Sequence, residues 1–404
     1  MNSIKKIAVI GAGAAGFMAA ITAKELGKHV YVTIFEKTDK ALSKVKVSGG
    51  GRCNVTNATF SIAQLLKNYP RGGKELRSSF NLFNTKHTVE WFESRGVSLK
   101  KEIDNRIFPS SNDSQTIVDL LISRTQDLKI HISFKSKVNA VEPYNNGVNL
   151  VVNGQTFFFD KVIIACGGTS KISALEWLTV LDYKIVAPVP SLFTFNMPKN
   201  PITELMGLSV PNVISSIKGS ALKQSGPLLI THWGMSGPAI LKLSAWGAKN
   251  LAELNYNFIT QINWLAINEE ELRNQFASLK SNRKLIFNHN PFKIPKRLWH
   301  FILNKLDIAE NIIWSELAKK DKNRLINSLT NDEFEVRGKT TFKEEFVSCG
   351  GIDLSEINMK TMQSNRHNSI FFAGELLNID GITGGFNFQA AWTTGYLAGK
   401  NSVL

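Results

Sequence analysis

Ile7-Ala8-Val9-Ile10-Gly11-Ala12-Gly13-Ala14-Ala15-Gly16 decides the fold. Four consecutive apolar residues predict a short strand buried on both faces. The glycines then follow the G-x-G-x-x-G spacing and open a helix expected from Ala14 to Leu26, ended by Gly27. Gly11 permits a tight turn, Gly13 lets the backbone approach a pyrophosphate, and Gly16 lets helix and strand pack closely. The helix start offers unpaired N–H groups and the positive dipole end to phosphate. Lys5 and Lys6 before an apolar run also fit the opening of a signal peptide. The run is too rich in glycine for that, and too short for a membrane span of about 20 residues.

A second apolar strand, Val30 to Phe35, ends in Glu36, 20 residues after Gly16. An acid there binds ribose hydroxyls and favours a ribose without a 2′-phosphate. Strand, glycine turn, helix, strand and acid together predict dinucleotide binding. The motif does not separate FAD from NAD.

The chain has 404 residues, enough for two or three domains with a real core. Hydrophobic residues make up 43% and charged residues 20%, which excludes a disordered or fibrous chain. Three scattered cysteines, Cys53, Cys166 and Cys349, exclude a disulfide framework and a zinc site, and a cytoplasmic location is expected. No H-E-x-x-H, G-x-S-x-G or Walker A motif is present, so zinc proteases, standard serine hydrolases and P-loop enzymes are excluded. No metal ligand set is expected.

Beyond Glu36, Ser48-Gly49-Gly50-Gly51-Arg52-Cys53-Asn54 reads as a loop whose backbone lies against a ligand. Helical patterning resumes near Leu65 and at Val89 to Phe92. Asp113 to Leu128 predicts an amphipathic helix, and Ile130 to Phe134 a strand. Asn153-Gly154 predicts a hairpin turn. Val162 to Ala165 is another buried strand, running into Cys166-Gly167-Gly168. After Pro188 and Pro190 the character changes. Residues 191–267 are strand-like and 268–335 charged and helical, with Leu298, Phe301, Ile302 and Lys305 on one stripe and another starting at Ile312 to Leu317. From Phe346 the glycine-rich α/β style returns. The expected domains are 1–190 and 346–404 as one split cofactor domain, with 191–345 inserted.

Ile370 to Ala373 is a strand running into Gly374-Glu375, then Asp380-Gly381 and Thr383-Gly384-Gly385-Phe386-Asn387-Phe388-Gln389, with a helix from about Phe388 to Leu397. This second strand–loop–helix unit would hold the far end of the same cofactor. Its helix N-terminus suits negative charge on a reduced flavin ring.

These segments, with Thr231-His232-Trp233-Gly234-Met235-Ser236-Gly237-Pro238 and Cys349-Gly350-Gly351-Ile352-Asp353, resemble the BaiN-type family of FAD-binding proteins, which has aminoacetone-oxidase-like members. The resemblance covers essentially the whole chain. It implies FAD and an α/β fold: a Rossmann-like FAD-binding domain of the glutathione-reductase class, interrupted by a β-barrel-like plus helical insertion. By family pattern, Gly11, Gly13, Ala14, Ala15, Gly16, Glu36, Lys37, Gly51, Arg52, Cys53 and Asn54 would line the adenosine and pyrophosphate side and approach the ring. Val138 would sit near adenine, and Ala165 and Gly167 would close the central path. Gly374, Glu375, Asp380, Gly385, Phe386 and Asn387 would surround the ribityl chain and flavin. The family often has an acid where Asn378 stands, which puts any acid role there in doubt. With a single G-x-G-x-x-G, a nicotinamide donor, NAD(P)H, would bind transiently over the flavin. The expected activity is hydride exchange with a small organic substrate; the alternatives are an amine oxidase using O₂ and a flavin-containing nucleic-acid-binding protein.

Two further features have competing explanations. His232, in a glycine- and proline-bounded turn, is a candidate proton donor, or it satisfies a backbone carbonyl while Ser236-Gly237-Pro238 starts a helix. The net charge is +15, from 48 basic and 33 acidic residues. Lysines gather in the helical insert, including Lys280, Lys284, Lys293, Lys296, Lys319, Lys320 and Lys322. No nucleic-acid-binding motif accompanies them, so a solvated surface is the expectation and nucleic acid is not.

Overall fold

The computed structural model describes residues 4–169, 171–179, 181–340 and 347–404. Its contacts form two compact units: Met1–Ser191 with Phe342–Leu404, and Leu192–Thr341. The expected return boundary at 345/346 lies outside the described residues.

The first unit is built on five parallel strands. Their order is Ile370–Phe372, Lys161–Ile164, Lys5–Ile10, Val30–Phe35 and His131–Ser133. The short strands Gln363–Ser364 and Ile357–Asn358 extend one edge in antiparallel sense. Ile7, Ala8 and Val9 are fully buried, which is why this strand reads as an unbroken apolar run. The helix Ala14–Leu26 follows directly. A three-stranded antiparallel sheet, Val138–Tyr144, Gly147–Val152 and Gln155–Phe159, also packs here; its Phe159 meets Phe35 edge to face at 5.7 Å. Its second turn is Asn153-Gly154, both residues with positive φ, as a tight hairpin needs.

From Lys5–Ile10 the sheet grows first to one side, through Val30–Phe35, and later to the other, through Lys161–Ile164. That central strand is the switch point of an open α/β sheet, and ligands bind outside the carboxyl ends there. Gly11, Glu36, Ala165 and Ala373 each follow such an end.

The last helix, Phe386–Ser402, packs along the first. A Cβ at Gly395 would strike the Ala15 carbonyl, and one at Gly399 the Ala19 carbonyl. Glycine at these two positions sets the helix separation.

The second unit is a seven-segment antiparallel sheet. Its order is Asp332–Arg337, Asn257–Asn263, Ser209–Ile217, Lys223–Thr231, Gly234–Ser236, Thr194–Asn196 and Lys339–Thr340. The two outer segments are one stretch of chain bent at Gly338, where φ is +88°. Its first half pairs with Asn257–Asn263 and its second half with Thr194–Asn196, so the sheet closes into a barrel. Phe195, Val213, Ile230 and Ile262 fill the interior, and Trp264 and Trp299 lie in the same core.

Ser236-Gly237-Pro238 does start a helix, Pro238–Glu253, 16 residues long and with proline at its first position. Two sequence expectations need correction. The helical stretch ends at Thr330, and residues from Asp332 belong to the barrel. Ile312 to Leu317 contains only the 3₁₀ turn Trp314–Glu316; the next helix is Lys319–Thr330.

Replacing Gly399 with leucine should destabilise the first unit by roughly 1–3 kcal/mol or more, because the side chain has only backbone to displace. A thermal melt of the flavin-loaded protein reads this. An unchanged midpoint would mean that the helices are not in contact there.

Candidate flavin site

The first wall of the site is the turn Gly11–Gly16. Gly11 has φ +106°, and its N–H donates to Phe35 O at 2.8 Å. A Cβ on Gly13 would meet nothing within 4 Å. Its missing side chain therefore serves the open side, not the protein interior. The helix behind it has no side-chain cap and no acid in its first turn, so its N–H groups remain available to an anion. Ala14 and Ala15 open that helix, and Gly16 is glycine because Gly11 O lies where its Cβ would be.

Glu36 is fixed from two sides. Its carboxylate accepts from Ala12 N–H at 3.0 Å and from Thr38 N–H at 2.9 Å. Lys37 beside it is exposed. Glu36 also exchanges backbone hydrogen bonds with Ser133 and Ser136, which brings the start of Val138–Tyr144 near.

The Ser48–Asn54 segment departs from a simple loop. A helix begins at Ser43 and breaks at Ser48, after which Gly49, Gly50 and Gly51 all have positive φ. Cβ atoms on Gly50 and Gly51 would meet nothing within 4 Å, so this backbone also faces open space. Arg52 is engaged by the protein. It pairs with Glu102 at 2.7 Å and stacks over Phe108 at 4.1 Å. Cys53 is fully buried, and burial pushes its thiol pKa up to about 12. Asn54, with its amide turned to satisfy its neighbours, accepts from Gly385 N–H at 2.9 Å and donates to Thr56 O at 3.0 Å.

That hydrogen bond joins the two ends of the chain. Gly385 is the left-handed N-cap of the last helix, which likewise lacks a side-chain cap. Gly374 lies against the Ala15 side chain. Glu375 pairs with Lys44 at 2.7 Å and accepts from Ser348 N–H at 2.9 Å. Phe386 is buried, and its carbonyl accepts from Tyr69 Oη at 2.7 Å. Asn387 spends its amide on Gly381, accepting from N–H at 2.9 Å and donating to O at 2.8 Å. Asn378 accepts from Gly350 N–H at 3.1 Å. Ala165 and Gly167 follow the strand Lys161–Ile164, next to Gly11.

Asp380 is fully buried and held by both arms of Arg71 and by the Ser191 hydroxyl. Burial raises its pKa despite those partners. Sequence reasoning passed over Arg71. Its signal is Pro70-Arg71-Gly72-Gly73, a charged residue enclosed by turn formers; Gly72 has φ +75°, and Ile379 lies where its Cβ would be. His232 lies in the second unit, exposed in the turn between Lys223–Thr231 and Gly234–Ser236, its ring against Trp233 at 4.2 Å.

Two uncapped helix starts, two open glycine runs and a ribose-type acid fit an extended dinucleotide with a flavin. Fold and site define a flavin-binding oxidoreductase. The chain matches the HI0933-like protein Rossmann domain family over residues 5–401 and belongs to it; FAD is the cofactor.

Similar proteins include the ribosomal RNA dihydrouridine synthase of Escherichia coli, 27% identical over 98% of this chain and 97% of that one. The 3-dehydro-bile acid delta(4,6)-reductase of Clostridium scindens is 27% identical over 98% of both chains. The ribosomal RNA dihydrouridine synthase of Haemophilus influenzae is 29% identical over 98% of both. Among solved structures, 3-ketosteroid delta1-dehydrogenase from Sterolibacterium denitrificans shares the fold with a TM-score of 0.53 at 11% identity, over 98% of this chain and 99% of that one. A flavocytochrome c3 fumarate reductase gives 0.50 at 13% identity, over 100% of this chain and 79% of that one. Among the described residues no helix is long and apolar enough to cross a membrane, and no group of residues could hold a metal ion.

Gly13→Asp should fold and lose FAD, because the new carboxylate meets phosphate and no protein atom. Flavin absorbance per protein and circular dichroism read the two separately; retained FAD would refute the placement. Thiol labelling tests the cysteines. Cys166 is exposed, and desolvation by the surrounding protein raises its pKa to about 11, with the charge of Lys37 opposing the shift. Maleimide should label Cys166 alone in the folded protein, faster as pH rises from 7 to 9, with Cys53 and Cys349 reacting only after unfolding.

Proposed function

We propose that this flavoprotein is a reductase of an electron-poor ring double bond, fed with electrons by NAD(P)H. When bound, FAD accepts and delivers hydride; the ring takes that hydride at one carbon and a proton at the neighbouring carbon. The observation that carries the reading is how the side chains around the site are engaged. Arg52, Glu375, Asn378, Asp380 and Asn387 are each tied to protein partners. Cys53 is held as a thiol. These groups shape and orient, and none is poised as a covalent nucleophile. The uncapped N-terminus of the last helix supplies positive potential that favours a reduced, anionic ring.

The relatives' names support the same reaction class. A delta(4,6)-reductase saturates a steroid ring, and a dihydrouridine is a uridine with two hydrogens added to its ring. An amine oxidase is the alternative; the L-aspartate oxidase of Pyrococcus furiosus is 26% identical, over 41% of this chain. A second reading places the reducible ring within RNA. The charge of +15 and the names of two relatives are what support this second reading.

Anaerobic mixing separates these. NADH or NADPH should bleach the flavin, and a cyclic enone or a uridine-containing RNA should restore its colour. Bleaching by amines and not by nicotinamides would refute the reductase and establish the oxidase.

A further inference from the structure

Residues 272–306 contain Arg273, Lys280, Arg283, Lys284, Lys293, Lys296, Arg297 and Lys305, with no Asp or Glu. Two of these are accounted for inside the fold: Arg273 pairs with Glu269, and Lys305 with Asp332. The other six are exposed, and among the described residues none of them forms an ion pair. Among the described residues, the Arg297 side chain alone of these six has a protein partner, the Glu204 carbonyl at 2.9 Å.

The fold gathers these cations and those of the next helix around one aromatic cluster. Phe276 stacks on Phe292 at 5.2 Å, Phe292 meets Trp299 at 5.9 Å, and Trp299 stacks on Trp314 at 6.0 Å. Lys322 lies over Phe276 at 5.8 Å, and Trp314 N–H donates to the Lys284 carbonyl at 3.2 Å. Lys280, Lys293, Lys296 and Lys319 are each within five residues of a ring in this cluster.

The helix Glu269–Ser278 obeys its dipole, with three glutamates in its first turn. The helix Lys296–Lys305 begins instead with Lys296-Arg297, with no acid in its first turn and no side-chain cap. Cations at the positive end of a helix work against folding, so the helix they start does not explain their placement.

We infer that this face of the second unit is an RNA docking surface that grips the phosphate backbone. Its aromatic rings are largely buried and packed on one another, so it offers charge and no stacking platform for bases. It therefore positions RNA without reading sequence. The inference rests on the second reading above, that the reducible ring lies within RNA.

The test uses flavin-loaded protein and a labelled, uridine-containing RNA hairpin, with anisotropy read at several salt concentrations. The variant is Lys280→Glu/Lys284→Glu/Lys293→Glu. The control is Lys28→Glu/Lys129→Glu/Lys360→Glu, exposed positions in the first unit with the same change in net charge. The first variant should bind at least about tenfold more weakly, and its log–log salt slope should fall by about 2–3. The control should stay within about twofold. Equal losses in the two variants, or none in either, overturn the surface. So does wild-type protein that binds anionic phospholipid vesicles and not the hairpin. The surface and the substrate reading fail separately. RNA reduced equally well by the first variant sinks the surface and leaves RNA as substrate. RNA held by these lysines but never reduced sinks the substrate and leaves the surface.

Discussion

The first and last helices approach so closely that the crossing has no room for side chains. Gly395 and Gly399 lie against the carbonyls of Ala15 and Ala19. Everything at the candidate site depends on that approach. It brings the Gly374–Gln389 segment beside the Gly11–Gly16 turn, so that one cofactor can reach both helix starts. The hydrogen bond from Gly385 N–H to Asn54 and the contact of Gly374 with Ala15 exist only because the helices meet.

Around this crossing, the charged and amide side chains act mainly on the protein. Arg71 neutralises buried Asp380, Glu102 holds Arg52 against Phe108, and Asn387 ties down Gly381. A buried carboxylate without its arginine would be costly, so the Arg71–Asp380 pair also keeps the loop before the last helix in one conformation. The result is a site faced with backbone. Glycines at 13, 50, 51 and 167 have open space where a side chain would be. Such a surface recognises an extended dinucleotide through N–H groups and leaves redox chemistry to the flavin.

Much of this was legible in order along the chain. Ala14–Leu26 and Val30–Phe35 have the bounds their patterns predict, because glycine and a change of hydrophobic period mark both ends. The Asn153-Gly154 turn followed from its dipeptide alone. Reading failed where tertiary context overrode local pattern. The barrel's closing strand hid behind a helical stretch. Closure depends on pairing Asp332–Arg337 with a partner some 70 residues earlier, which no local window sees.

By itself the sequence determined that a dinucleotide is bound and roughly where, because G-x-G-x-x-G, the acid after the second strand and the second glycine cluster are local requirements of backbone geometry. It also showed an excess of basic charge, gathered in the helical insert. Only the tertiary structure decided which polar residues face inward. Arg52, Asn378 and Asn387 look like ligand contacts in the sequence and are tied to protein partners in the fold. The same folding collects lysines from three separate stretches around one aromatic cluster. The physical reason is common to both. A side chain's partner is set by what long-range packing brings within about 3 Å, and hydrogen bonds are too short-ranged to be read from spacing along the chain.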